Sequence, residues 1–424
     1  MHLLLASLLS SPIHAAEPMA PHDTPTMRRA IAELLPQAVP LRPTATRVRD
    51  GDKLALYRHG DLALLRDDDG EWFNEVLQQG ADLEWVLGSV QDAFYRAHED
   101  EYDYLTILLV RDFGLFFAFY SPLANDVSGI GYDSMTPFET FDTSENQLQG
   151  MIFMNAASMW LEAPEAGRYV FGQEFMHRWG AFVDIDHPDL ATAELLGRDS
   201  AHWSFWIDTP NSPMEGNRWI DNGDGTWTTD RAGGSTYSDL DLYLMGLVPA
   251  EEVGPQRLLR VTEADAGGIL PADAPRYLSG EEDVTVVGTA IPFTVDDIIA
   301  AEGPRVPDST RSPRSFRMAF AVIALAGDPL DDATLDAIDE LRARFEREWE
   351  EDVGHRADLD TTLGVSTAQE WANGGPVEPA DVDTGSGEPD AAEGCGCATG
   401  TAPAAWASAM IAALSVLRRR ARKS

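Results

Sequence analysis

Residues 173–177 read Gln-Glu-Phe-Met-His, and no other stretch of the chain carries so clear a chemical spacing. On a helix, positions four apart share a face, so Gln173 and His177 could reach one cation such as Zn²⁺. Glu174 would lie beside that cation and take a proton from the water bound to it. Glu174 and His177 fit these roles as they stand. The amide oxygen of Gln173 is neutral and a weaker ligand than an imidazole. A third ligand must come from further along. Gly180 follows His177 by three, but the position three beyond it is Val183, which cannot bind metal, and Asp184 is one residue out of register.

A later apolar segment, residues 238–247, offers another ligand. Asp241 shares a helical face there with Ser238 and Met245, and a buried carboxylate must be paired, protonated or metal-bound. A metal and a purely structural partner both satisfy that requirement. Asp239 is the alternative ligand if the helix is rotated. In residues 201–208, strand alternation puts His202, Ser204, Trp206 and Asp208 on one face. His202 is therefore a candidate catalytic residue, as a transition-state donor, or a ligand in place of the missing imidazole. Its bland use is as a satisfied, half-buried side chain. His187 falls in a polar turn and reads as solvated. The loop Asp221-Asn222-Gly223-Asp224-Gly225 hints at Ca²⁺ but lacks EF-hand spacing, so it reads as a hairpin turn. Trp179, Trp203, Trp206, Trp219 and Trp227 lie close together in sequence. They could form a carbohydrate platform, with carboxylates as an acid/base pair, or serve as core.

These residues need elements to position them. Residues 169–183 predict the helix that carries Glu174 and His177, preceded by a short strand at 149–154. Upstream, 54–65 reads as a hairpin turning at His59-Gly60-Asp61, 82–98 as a helix, and 104–110 and 115–120 as buried strands. Downstream, 203–207 and the pair within 218–228 read as strands, and 240–247 as a short helix closed by Gly246 and Pro249. A helix starting at Thr294, an apolar strand at 316–325 and a charged amphipathic helix at 331–350 complete the pattern. There is no internal repeat. Strands and helices without regular alternation predict an α+β domain with a mixed sheet.

The Gln-Glu-x-x-His helix resembles the His-Glu-x-x-His helix of zincin metallopeptidases, with Gln173 in place of the first His. Residues 195–204 and 240–247 are similar to segments of uncharacterised, zincin-like secreted proteins from myxobacteria and their relatives. The resemblance spans roughly residues 100–365. It implies a gluzincin-type zinc peptidase scaffold, with His177, Asp241 and either Gln173 or His202 as metal residues and Glu174 as general base. In intact members it implies peptide-bond hydrolysis by metal-activated water. Loss of one ligand leads equally to an inactive scaffold that binds proteins or peptides.

The two ends read as addresses. Residues 1–16 contain an apolar run followed by small residues ending at Ala15-Ala16, which resembles a secretory signal. Residues 17–100 form an N-terminal segment, and 101–372 the zincin-like domain. Residues 373–394 are an acidic, Gly/Pro-rich linker without aromatics. Beyond them come Cys395 and Cys397 in a Gly-rich setting, an apolar stretch at 402–417 and a terminal Arg cluster. The order of these parts resembles the C-terminal sorting signal of myxobacterial surface proteins. It implies export, a short transmembrane helix, and cleavage by a sorting protease or lipidation near the cysteines. Attachment at the outer cell surface would follow.

Composition fits that address. The chain has 424 residues, 31 Lys or Arg against 71 Asp or Glu, and a formal charge of −40. Such a balance excludes the basic footprint that nucleic-acid binding needs. With 44% hydrophobic residues it can bury a sizeable core. Both cysteines fall in the tail, so the body has neither disulfide nor thiolate chemistry.

Overall fold

The computed structural model describes residues 53–78, 83–112, 118–132, 147–197, 200–230, 236–264 and 283–377. The expected signal segment, most of the acidic linker, Cys395, Cys397 and the apolar tail lie outside the described residues. Among the described residues, no helix is long and apolar enough to cross a membrane.

Two sheets organise the described residues. The larger is built from β1 (Ala55–His59), β2 (Leu62–Asp67), β3 (Tyr104–Leu109), β4 (Phe119–Pro122) and β5 (Gly150–Ala156), joined by later strands. The smaller contains β6 (Trp203–Asp208), β7 (Glu215–Asn217), β8 (Trp219–Asp221), β9 (Thr226–Thr229), β10 (Gln256–Ala264) and β11 (Thr285–Phe293), in the order β7-β6-β10-β11-β9-β8. The larger sheet is completed by β12 (Ser315–Leu325), β13 (Asp358–Asp360), β14 (Gln369–Ala372) and β15 (Gly375–Pro376). Its order is β15-β14-β1-β2-β12-β3-β5-β4, with β13 beside β12. Strands β2, β12, β3 and β5 run parallel, whereas β1 and β4 run antiparallel to their neighbours β2 and β5.

The apolar runs explain the layering. Strand β12 reads Ser-Phe-Arg-Met-Ala-Phe-Ala-Val-Ile-Ala-Leu, a sequence suited to burial on both faces. One face, through Ala63, Leu65, Ile107 and Ile323, packs on Trp72 and Val76 of α1 (Glu71–Gln78) and Val90 and Phe94 of α2 (Leu83–Phe94). The opposite face, through Leu64, Tyr104, Met154 and Phe320, packs on a larger cluster. That cluster includes Trp160 of α3 (Ala157–Glu162), Phe171 and Phe175 of α4 (Pro164–Met176), and Phe345 and Trp349 of α8 (Asp332–Asp352). Phe171 stacks on Phe345 with ring centroids 4.6 Å apart. Between α4 and α8 in the chain come α5 (Thr192–Leu195), α6 (Asp239–Met245) and α7 (Val295–Glu302).

Most predicted elements are found close to their expected bounds. β1 and β2 pair within the same sheet as β12 and β3. Residues 375–376 pair with β14, so the chain stays in the sheet beyond residue 372. The helix expected at 169–183 runs from Pro164 to Met176 instead. Proline at its first position starts it, since the missing N–H would be unsatisfied there anyway.

Candidate functional site

The helix α4 is placed by its aromatic face. Phe171 and Phe175 enter the core, and Tyr237 donates its hydroxyl to the carbonyl of Gly172 at 2.7 Å. Gln173 and Glu174 are carried on the same turn, both buried. His177 is the cap residue just past the helix, and its N–H still donates to the Gln173 carbonyl at 3.2 Å. The one-turn relation between positions 173 and 177 is therefore kept. Next to it, buried Arg178 turns elsewhere, donating to Asn125 (2.8 Å), Asp126 (2.9 Å) and Gln149 (3.2 Å). Those bonds pin the end of the helix to the segments flanking β4 and β5.

The fold brings His202 to His177. Their ring centroids are 4.8 Å apart at 85°, and His202 is buried just before β6. His177 holds its Nδ1 3.2 Å from the Gly180 carbonyl, a contact that places the proton on Nδ1. A further residue joins them that sequence reasoning missed. Glu215, at the start of β7, is buried with its Oε1 3.5 Å from the Gln173 amide nitrogen. Its φ of 75° is left-handed, rare for a glutamate and characteristic of sites that the surrounding structure over-determines. Gln173, Glu174, His177, His202 and Glu215 thus form the candidate site.

Asp241 does something else. It lies in α6 (Asp239–Met245), fully buried, and both carboxylate oxygens accept hydrogen bonds. Oδ1 takes Trp203 Nε1 at 2.7 Å. Oδ2 takes the Ser212 hydroxyl at 2.8 Å and the Ser238 N–H and hydroxyl, each at 2.7 Å. Burial pushes its pKa up, and these donors oppose that shift. Ser238 and Asp241 form a capping box, each side chain bonding the other's backbone N–H. Replacing Ser238 with alanine is expected to cost about 1 kcal/mol, as other N-cap losses do, read from the urea midpoint.

The far end of α6 is fixed as firmly. Gly246 is left-handed, with φ 79°, and a Cβ there would strike the Arg305 guanidinium. Arg305 donates to the Leu244 carbonyl (2.7 Å) and the Met245 carbonyl (2.9 Å), capping the helix dipole with a buried cation. Burial lowers its pKa to about 10.

The remaining candidates separate. Asp239 is exposed on the outer side of α6, and His187 is half-buried, accepting the Asp189 N–H at 3.1 Å. In the loop at 221–225, Asp221 accepts the Gly223 N–H, and Asp224 accepts the N–H and hydroxyl of Thr226. These bonds close an ordinary turn. Trp179, Trp203, Trp206, Trp219 and Trp227 are all buried, so as a group they belong to the core.

The expected metal residues His177, Asp241 and Gln173 all have partners within the protein. Asp241 spends its oxygens on four donors, and the Gln173 amide lies against Glu215. Among the described residues, no three or more His, Cys, Asp or Glu side chains are grouped to hold a metal ion. No family model, no curated protein and no solved structure matches this chain.

Proposed function

We infer that this chain is a surface protein that binds proteins or peptides on a peptidase-like frame, without metal-activated hydrolysis. The observation that carries this reading is Asp241, whose buried carboxylate is already satisfied by Trp203, Ser212 and Ser238. Three donors converge on its Oδ2 and one on its Oδ1, so a cation placed there would compete with buried hydrogen bonds. Strand β4 supports the binding half of the reading. It ends the larger sheet among the described strands, and a terminal strand is a template on which an extended peptide can add. The export and sorting segments expected from the sequence would place this site outside the cell.

Three measurements on the purified protein test the proposal: metal content by mass spectrometry, retention of peptides from a random array, and peptide hydrolysis. The expected result is a folded, zinc-free chain that retains peptides and leaves them uncut. One zinc per chain that disappears in His177→Ala, with hydrolysis abolished by Glu174→Ala, would replace this reading with an active zinc peptidase.

A further inference from the structure

Strand β1 ends at His59, whose imidazole is held between two acceptors. Its Nδ1 lies 2.8 Å from the Trp371 carbonyl in β14, and its Nε2 lies 2.8 Å from Oδ1 of Asp336 in α8. A neutral imidazole has a single N–H and can serve one of these oxygens. Only the protonated ring donates to both. The bond to Trp371 also extends a very short ladder, because β1 and β14 pair only at Tyr57 with Gln369 and Arg58 with Glu370. We propose that His59 is an acid-favoured clasp that joins β1 to both β14 and α8 and loosens when the ring loses its proton.

The surrounding charges favour the closed form. From α8, Asp336 and Asp332 face the ring, and Asp339 sits under the neighbouring Gly60, paired with Arg342 at 2.6 Å. From β1 and the turn after it come Arg58 and Asp61, 3.9 Å apart. Strand β14 contributes Glu370, and Arg66 of β2 covers the Trp371 ring. Burial is the largest influence on His59 and works against its charge. The Trp371 carbonyl and the two aspartates outweigh it, and the pKa lies above the ordinary value of 6.5. The clasp is therefore complete below that ordinary value and is lost as pH rises through the raised one. The Asp336 side chain is 72% exposed and rehydrates readily, so the link to α8 opens first while Nδ1–H keeps Trp371.

Nuclear magnetic resonance titration of His59, with hydrogen exchange of the peptides covering 332–340 and 369–376, tests this on the intact chain. His59 is expected to titrate above 6.5 and to fall back in Asp336→Asn, an exposed substitution that leaves the fold in place. Exchange across 332–340, corrected for its intrinsic pH dependence, is expected to quicken up to about tenfold for each unit by which the pKa is raised. In His59→Gln or Asp336→Asn that pH dependence is expected to vanish. Titration of His59 at or below its ordinary value would overturn the clasp. So would an unchanged pH profile in Asp336→Asn.

Discussion

Asp241→Ala is expected to destabilise the protein by about 3–4 kcal/mol, measured by urea denaturation, with or without a chelator present. The reason is the number of donors that would lose their acceptor. Trp203 Nε1, the Ser212 hydroxyl and the Ser238 N–H all converge on this one fully buried carboxylate. Each buried donor left unpaired costs about 1–3 kcal/mol, and partial relaxation keeps the sum below the simple total. Asp241→Asn keeps one acceptor oxygen and turns an amide N–H₂ toward the remaining donors, so an intermediate loss is expected. The control for a metal role is direct. If the variant's loss appears only against a zinc-loaded wild type and vanishes with chelator, Asp241 is a ligand and the structural account fails.

Gln173→His is the second large change, and it runs toward gained affinity. Position 173 keeps its one-turn relation to His177, and His202 stands beside His177. An imidazole at 173 would supply the third neutral nitrogen donor that a zinc site needs. The wild type is expected to show the same melting temperature in zinc and in chelator. The variant is expected to bind zinc and to gain about 2.7 kcal/mol when free zinc reaches a hundred times its dissociation constant. Adding His202→Ala is expected to abolish the gain. A Gln173→His chain that takes up no zinc would show that the two histidines are too far from position 173 to share an ion.

The two experiments bear on different parts of one architecture. Asp241 fixes α6 to β6 through Trp203 and to the segment before β7 through Ser212. Glu215 follows that segment directly and reaches Gln173. A loosened α6 would therefore disturb the site as well as the core. For this reason binding by Asp241 variants is best read at a denaturant-free temperature well below their transitions, where the folded fraction is unaffected.

Much of this was already legible in the residues. The i, i+4 spacing of Gln173 and His177 needs only helical geometry, and α4 supplies it. The uninterrupted apolar runs at 104–109 and 315–325 declare strands covered on both faces, which is where β3 and β12 lie. Ser238 three residues before Asp241 is a capping signature that can be read without coordinates. A carboxylate on the buried face of an apolar segment announces that it must have a partner, and the sequence alone allowed either a metal or hydrogen-bond donors.

The tertiary structure supplied the donors. Trp203 and Ser212 lie 38 and 29 residues from Asp241, so nothing in the local pattern names them as its donors. Glu215 was invisible for the same reason: its neighbours Pro213, Met214 and Gly216 give no period. Its importance comes from a left-handed backbone and a contact 42 residues away with Gln173. The approach of His202 to His177 likewise depends on the fold bringing the residue before β6 to the end of α4. His59 makes the contrast clearest. It reads as a turn residue beside Gly60, yet its two acceptors come from α8 and β14, 277 and 312 residues along the chain. Local sequence sets backbone preferences and burial periods within a few residues. Which distant groups satisfy a buried polar atom is fixed only when the elements pack.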